Sequence, residues 1–186
     1  MRFTSLLSLA CLTAATLAAP VEQAPKGFEV FEKSFSKIQS SLKGLTVAIK
    51  DLDTNARRGQ DTTKQEQDIE RRTTEVTQSL RDGASNIRKA AVLTTIEATS
   101  TIVPIEEMGS LTQKTVDAWI QAKPSIVRAG GRQAILKLLA AQETATDEFV
   151  DAVQAKMPLV TMTAARIYGQ KARNQVDQAI AAFNKQ

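Results

Sequence analysis

Few residues in this chain are equipped for bond-making chemistry. Its 186 residues include no histidine, and the single cysteine, Cys11, stands in an apolar run near the N-terminus. The usual general base, thiol nucleophile and soft metal ligands are therefore missing from everything downstream. Carboxylates remain, and two held close together can serve as acid and base. The pairs present, Glu106-Glu107 and Asp147-Glu148, are adjacent in sequence, so on a helix they diverge and read as solvated surface charges. Gly130-Gly131 lacks the further glycines and the lysine of a phosphate-cradling loop, and no calcium-loop spacing occurs. These residues argue against an enzyme, and neither cofactor nor metal is expected.

What the chain does offer is apolar surface at helical spacing. Phe28, Phe31, Phe35, Ile38, Leu42, Leu45, Ile49 and Leu52 recur at alternating gaps of 3 and 4, a seam down one side of a helix about 38 Å long. Such a stripe needs other apolar faces to cover it. The residue patterns supply four more helices. The first runs from about Gly27 to Asp53, broken by Asn55, Arg57, Arg58 and Gly59. Arg57-Arg58 reads either as an exposed loop pair or as a dibasic processing site. A second starts near Asp61 or Thr62, either of which can cap it. It carries Ile69, Val76, Leu80, Ile87 and Ala91 toward Ser100, with Glu66–Glu75 as its solvent face. The Thr, Ile and Val content of Ala90–Val103 also permits a strand, although no pairing partner is in sight.

Pro104 marks the next boundary. A third helix covers about Pro104–Ala122 with Ile105, Met108, Val116, Trp119 and Ile120 inward, and Lys123-Pro124 ends it. Gly130-Gly131 is the clearest punctuation. The fourth helix, about Gly131–Met157, carries Ile135, Leu138, Leu139, Gln142, Ala145, Phe149, Val153 and Met157. Pro158 suits the first turn of a fifth, which reaches about Asn184 with Met162, Ala165, Ala172, Val176, Ala179, Ile180 and Phe183. The expectation is an all-α, single-domain, up-and-down bundle of about five long amphipathic helices. Gly44, Gly83 and Gly169 interrupt its helices at about 1 kcal/mol each. They mark either close helix crossings or room between helices for a lipid chain. A third use of the seams is to open onto a hydrophobic surface.

The N-terminus reads as an export signal. Arg2 precedes an apolar run, Phe3–Leu17, too short to span a bilayer, and Thr16, Ala18 and Ala19 suit cleavage after Ala18 or Ala19. Residues 1–19 are then a signal peptide, 20–27 a short leader and 28–186 the binding domain, with no transmembrane segment. A secreted chain that loses Cys11 has no disulfides and relies on apolar burial. A net charge of +4, or +3 without Arg2, with both signs interspersed, gives no reason to expect nucleic acid.

Several stretches together carry a family resemblance: the signal ending Ala-Ala-Pro, the helix-one seam, VDAWIQAKPSIVRAGG (Val116–Gly131), RQAILKLLAAQETATDEFVDAVQAKMP (Arg132–Pro158) and the close QVDQAIAAFNKQ. The chain resembles the fungal hydrophobic surface binding protein A family, which also holds the cell-wall galactomannoproteins. The resemblance implies a secreted helical protein that holds a fatty acid or other lipid among its helices. The alternatives are a surface-adsorbing adaptor that recruits secreted hydrolases such as cutinases to hydrophobic substrates, or an inert cell-wall structural protein. The resemblance brings no catalytic motif. Its lipid contacts would be inner-face apolar side chains, here Leu42, Leu45, Ile49, Leu80, Ile87, Trp119, Leu139, Phe149, Val153, Val176 and Ile180. Separately from the resemblance, if a carboxylate is anchored, Lys43, Lys50 or Arg132 near helix ends would partner it. Unlike many cell-wall relatives, the sequence shows no Ser/Thr-rich tail, and it has no Asn-x-Ser/Thr acceptor. A freely secreted protein, at most non-covalently associated with the wall, is therefore expected.

Overall fold

The structure, a computed structural model, describes residues 27–185. The expected signal peptide and the leader up to residue 26 lie outside the described residues. Six α-helices follow one another: α1 (Gly27–Arg57), α2 (Thr63–Lys89), the short α3 (Thr95–Ser100), α4 (Ile102–Arg128), α5 (Arg132–Gln154) and α6 (Met162–Asn184), with a 3-10 turn at Leu159–Thr161. No strand occurs among the described residues.

The five long helices form a closed ring. α1 packs between α2 and α4, α5 between α2 and α6, and α6 completes the circuit against α4. The seam of α1 is the ring's main inward face. Every seam residue from Phe31 to Leu52 is buried, while Phe28 at its end is half-buried. Phe35 meets Phe149 of α5 edge-on at 5.7 Å, and Trp119 of α4 meets Phe183 of α6 in the same way at 6.2 Å. Such edge-to-face contacts add to the burial itself. Polar ties fix the registers: Lys37 pairs with Asp82 at 2.7 Å between α1 and α2, and Ser125 Oγ donates to Asp53 at 2.7 Å between α4 and α1.

The helix ends differ from the sequence reading for identifiable reasons. α1 runs on to Arg57 and stops where Gly59 takes φ +70°. Gln60 N donates to Asn55 O and Gly59 N to Ala56 O, both at 3.1 Å, the paired bonds of a left-handed helix stop. Gly130, at φ +79°, ends α4 in the same way. α2 ends at Lys89 rather than near Ser100, because Ala90 turns extended and Leu93, buried, donates its N–H to Lys156 O at 3.0 Å. The Ala90–Val103 stretch is therefore a loop and a short helix, with no strand. Thr94 caps α3, its hydroxyl accepting from Glu97 N while Glu97 accepts from Thr94 N. Pro104 sits in the first turn of α4, where its missing N–H costs nothing. Pro124 does not end that helix; burial of Ser125 and Ile126 beyond it holds the last turn in place.

Candidate functional site

A small cavity lies on the ring axis, and all five long helices wall it. α1 contributes Ile38 and Leu42, α2 Val76 and Leu80, α4 Met108 and Thr112, α5 Gln142, Thr146, Phe149 and Val150, and α6 Ala172 and Val176. Its volume is about 30 Å³, room for about two waters. Outside it, between α4 and α6, a groove of about 210 Å³ runs over Ile105, Glu106, Gly109, Tyr168, Lys171 and Gln175. Met108, Thr112 and Ala172 line both, so the cavity and the groove adjoin at these three side chains.

The groove is flanked by fixed polar groups. Tyr168 Oη donates to Glu106 at 2.7 Å across it, and the negative carboxylate beside it holds the phenol above its usual pKa. Gln175 Nε2 donates to Gly109 O at 3.0 Å and to Gln113 Oε1 at 3.1 Å. The Oε1 atoms of Gln175 and Gln142 are buried and have no hydrogen-bond partner. Further along α5 and α6, Arg173 pairs with Asp147 at 2.7 Å and Asp151 at 2.6 Å. Glu143 is pushed above the usual carboxylate range by burial first and by Asp177 second.

Of the apolar residues expected to line a ligand, Leu42, Leu80, Phe149 and Val176 meet at the cavity. Leu45, Ile49, Ile87, Trp119, Leu139 and Val153 are buried elsewhere in the same continuous core, and Ile180 packs half-buried against it. Ile120, expected inward, is 37% exposed. None of the proposed carboxylate partners borders the void. Lys43 and Lys50 face solvent, and Arg132 donates to the Phe183 and Asn184 carbonyls at 2.7 Å, closing the end of α6. Gln142 was expected on the inner face of its helix but given no role, and Gln175 was not singled out at all. Gln142 occupies a position in the apolar register of α5, and a polar residue at a core position was the available signal.

The interior glycines divide. A Cβ on Gly83 would stand 2.9 Å from Phe149, and one on Gly169 2.5 Å from Val150, so both mark close helix crossings. A Cβ on Gly109, in the floor of the groove, would meet nothing within 4 Å.

A second surface feature lies at the α3 end. α3 touches the 3-10 turn, and the two segments with the loop before them present Val92, Ile96, Leu159 and Val160 to solvent, Ile96 at 82% and Leu159 at 88% exposure. Neighbouring exposed aliphatic side chains of this kind are unusual for a surface with no partner.

Comparison with known proteins places this arrangement. The profile of the family described as hydrophobic surface binding protein A matches residues 31–155. The chain belongs to that family. The matched region stops short of α6, which brings Ala172, Gln175 and Val176 to the cavity and groove. Similar solved structures cover a larger share of the chain. Ligand binding domain 1 of the Penicillium marneffei MP1 protein, complexed with arachidonic acids, is similar at a TM-score of 0.72 and 18% identity, covering 86% of this chain and 99% of that one. AfMp4p in complex with palmitic acid is similar at a TM-score of 0.76 and 17% identity, covering 86% and 100%. Ligand binding domain 2 of MP1, complexed with multiple arachidonic acids, gives 0.66 and 18% over 81% and 96%. No curated protein sequence matches this chain significantly. The likeness to the solved structures is one of fold.

Proposed function

We propose that this protein is a secreted carrier that takes a fatty-acyl lipid into the ring, the chain entering between α4 and α6 and lying along the axis. The observation that carries this reading is the axial cavity walled by all five long helices, which shares Met108, Thr112 and Ala172 with an outer groove. The solved relatives bound to arachidonic and palmitic acids support it. Ligand pockets commonly measure about 300–1,000 Å³, so the ring opens to admit its guest. Leu42, Leu80, Phe149 and Val176 meet the chain first. Leu45, Ile49, Ile87, Trp119, Leu139, Val153 and Ile180 extend the wall as it lengthens. Each methylene buried returns about 0.8 kcal/mol, which offsets the cost of parting the helices. The signal-like N-terminus supports export. Among the described residues no helix is long and apolar enough to cross a membrane. No catalysis is needed for this role.

The test is uptake of palmitic acid by delipidated protein, read by native mass spectrometry. At least one acyl chain per protein is expected, and Ala172→Phe, which fills the shared wall, should abolish uptake while the helical circular dichroism stays unchanged. Wild-type protein that takes up none would end this reading.

A second reading rests on the exposed cluster at the α3 end: adsorption to a hydrophobic surface through Val92, Ile96, Leu159 and Val160. A double Ile96→Ser, Leu159→Ser variant should adsorb several-fold less to polystyrene with an unaltered melting temperature, because neither side chain is packed. Retention of a secreted hydrolase such as a cutinase on protein-coated polystyrene tests whether the adsorbed layer also recruits enzymes.

A further inference from the structure

We infer that the cavity and its adjoining groove are built for a lipid whose polar end donates an O–H, a long-chain alcohol or an un-ionised acid, seated on the side-chain carbonyl of Gln175, which lines the groove. This rests on the reading of the void as a lipid site. Most of the buried hydroxyls meet their own needs. Thr73, Thr77 and Thr146 each donate to the carbonyl four residues back, at 2.8–3.0 Å. Gln142 and Gln175 are as buried, each only 5% exposed, yet each leaves Oε1 without a partner.

In Gln175 the orientation is locked by its neighbours. Asp117 is a carboxylate and can only accept, so Gln113 must turn Nε2 toward it, at 2.9 Å. Gln113 Oε1 then faces Gln175, which must offer Nε2 both to that oxygen and to the Gly109 carbonyl. The leftover atom of Gln175 is therefore an acceptor, on a residue that lines the groove. A buried acceptor left unpaired bears its full desolvation cost, and a ligand O–H relieves it.

An ionised carboxylate does not fit the same seat, since it would set oxygen against oxygen. No Lys or Arg lines the cavity. The groove holds one cation, Lys171, exposed at its edge, against the carboxylate of Glu106.

The experiment compares dodecan-1-ol with dodecyl methyl ether, which has the same chain and no O–H, in displacing a fluorescent acyl probe from the mature protein. The alcohol should act at about tenfold lower concentration, and Gln175→Leu should bring the two to the same value. Alcohol and ether displacing equally from the wild type would overturn the inference while leaving the lipid site standing. So would palmitic acid binding with no displacement by the alcohol. If neither compound displaces the probe and palmitic acid is not taken up, the lipid reading itself fails. The wild-type comparison decides even if Gln175→Leu does not fold.

Discussion

At the scale of single residues, the glycines report where the ring is tight and where it gives. Gly169 lies so close to α5 that a methyl group would press on Val150, a cavity-wall residue, at 2.5 Å and on Gln154 at 2.6 Å. Gly169→Ala should therefore lose about 1–2 kcal/mol in urea unfolding, overpacking outweighing the gain in helix propensity. Gly109→Ala, with open space around it, should gain up to about 1 kcal/mol. A glycine that weakens its helix without easing any contact suits the floor of the proposed lipid entry, where a chain would lie against backbone. Glu143 offers a pH handle. Burial and Asp177 raise its folded pKa, so the folded state binds its proton more readily than the unfolded chain, and the ionised form detracts from stability near neutral pH. Glu143→Gln should raise the melting temperature at pH 7, and the gain should vanish as pH falls below the carboxylate range. The glutamines mark the limit of reading residues by type. Their polarity at Gln142 and Gln175 was visible, but the free acceptor on Gln175 follows only from Asp117 and Gln113, which lie on another helix.

At the scale of elements, the seam of α1 and the apolar registers of α2 and α5 were legible because a 3.6-residue period and burial coincide over many turns. The ends were less so. The Thr94-Thr95-Ile96-Glu97 capping box was present in the sequence, but the contact between Leu93 and Lys156 that stops α2 joins residues far apart in the chain. α4 is the element with two characters. Its buried residues all lie from Thr115 onward, and the turns before that are at most half-buried. Gln39 and Tyr168 each tie the first half by one hydrogen bond and Gln175 by two. Few buried contacts mean cheap local opening. Backbone amides from Gly109 to Lys114 should exchange with deuterium at least tenfold faster than those from Val116 to Ile126, and bound palmitic acid should slow the first set. Equal protection in the two halves would show that α4 does not open there.

At the scale of the molecule, the number of long helices was predictable, but their order around the ring was not. Periodicity states which face turns inward and says nothing about which neighbours share it. Consecutive α4 and α5 barely touch, although only residues 129–131 join them, while α4 lies between α1 and α6. The cavity inherits this arrangement, since its wall gathers positions from Ile38 to Val176. That order has a consequence for how the protein is made. α4 and α5 each need α6 as their second neighbour, and α6 follows all the other helices in the chain. Until its residues leave the ribosome, the growing chain has a gap where the ring should close, with the inner flanks of α4 and α5 open to water. The interior is therefore completed last, in a step that joins segments distant in sequence and so runs slowly relative to helix formation.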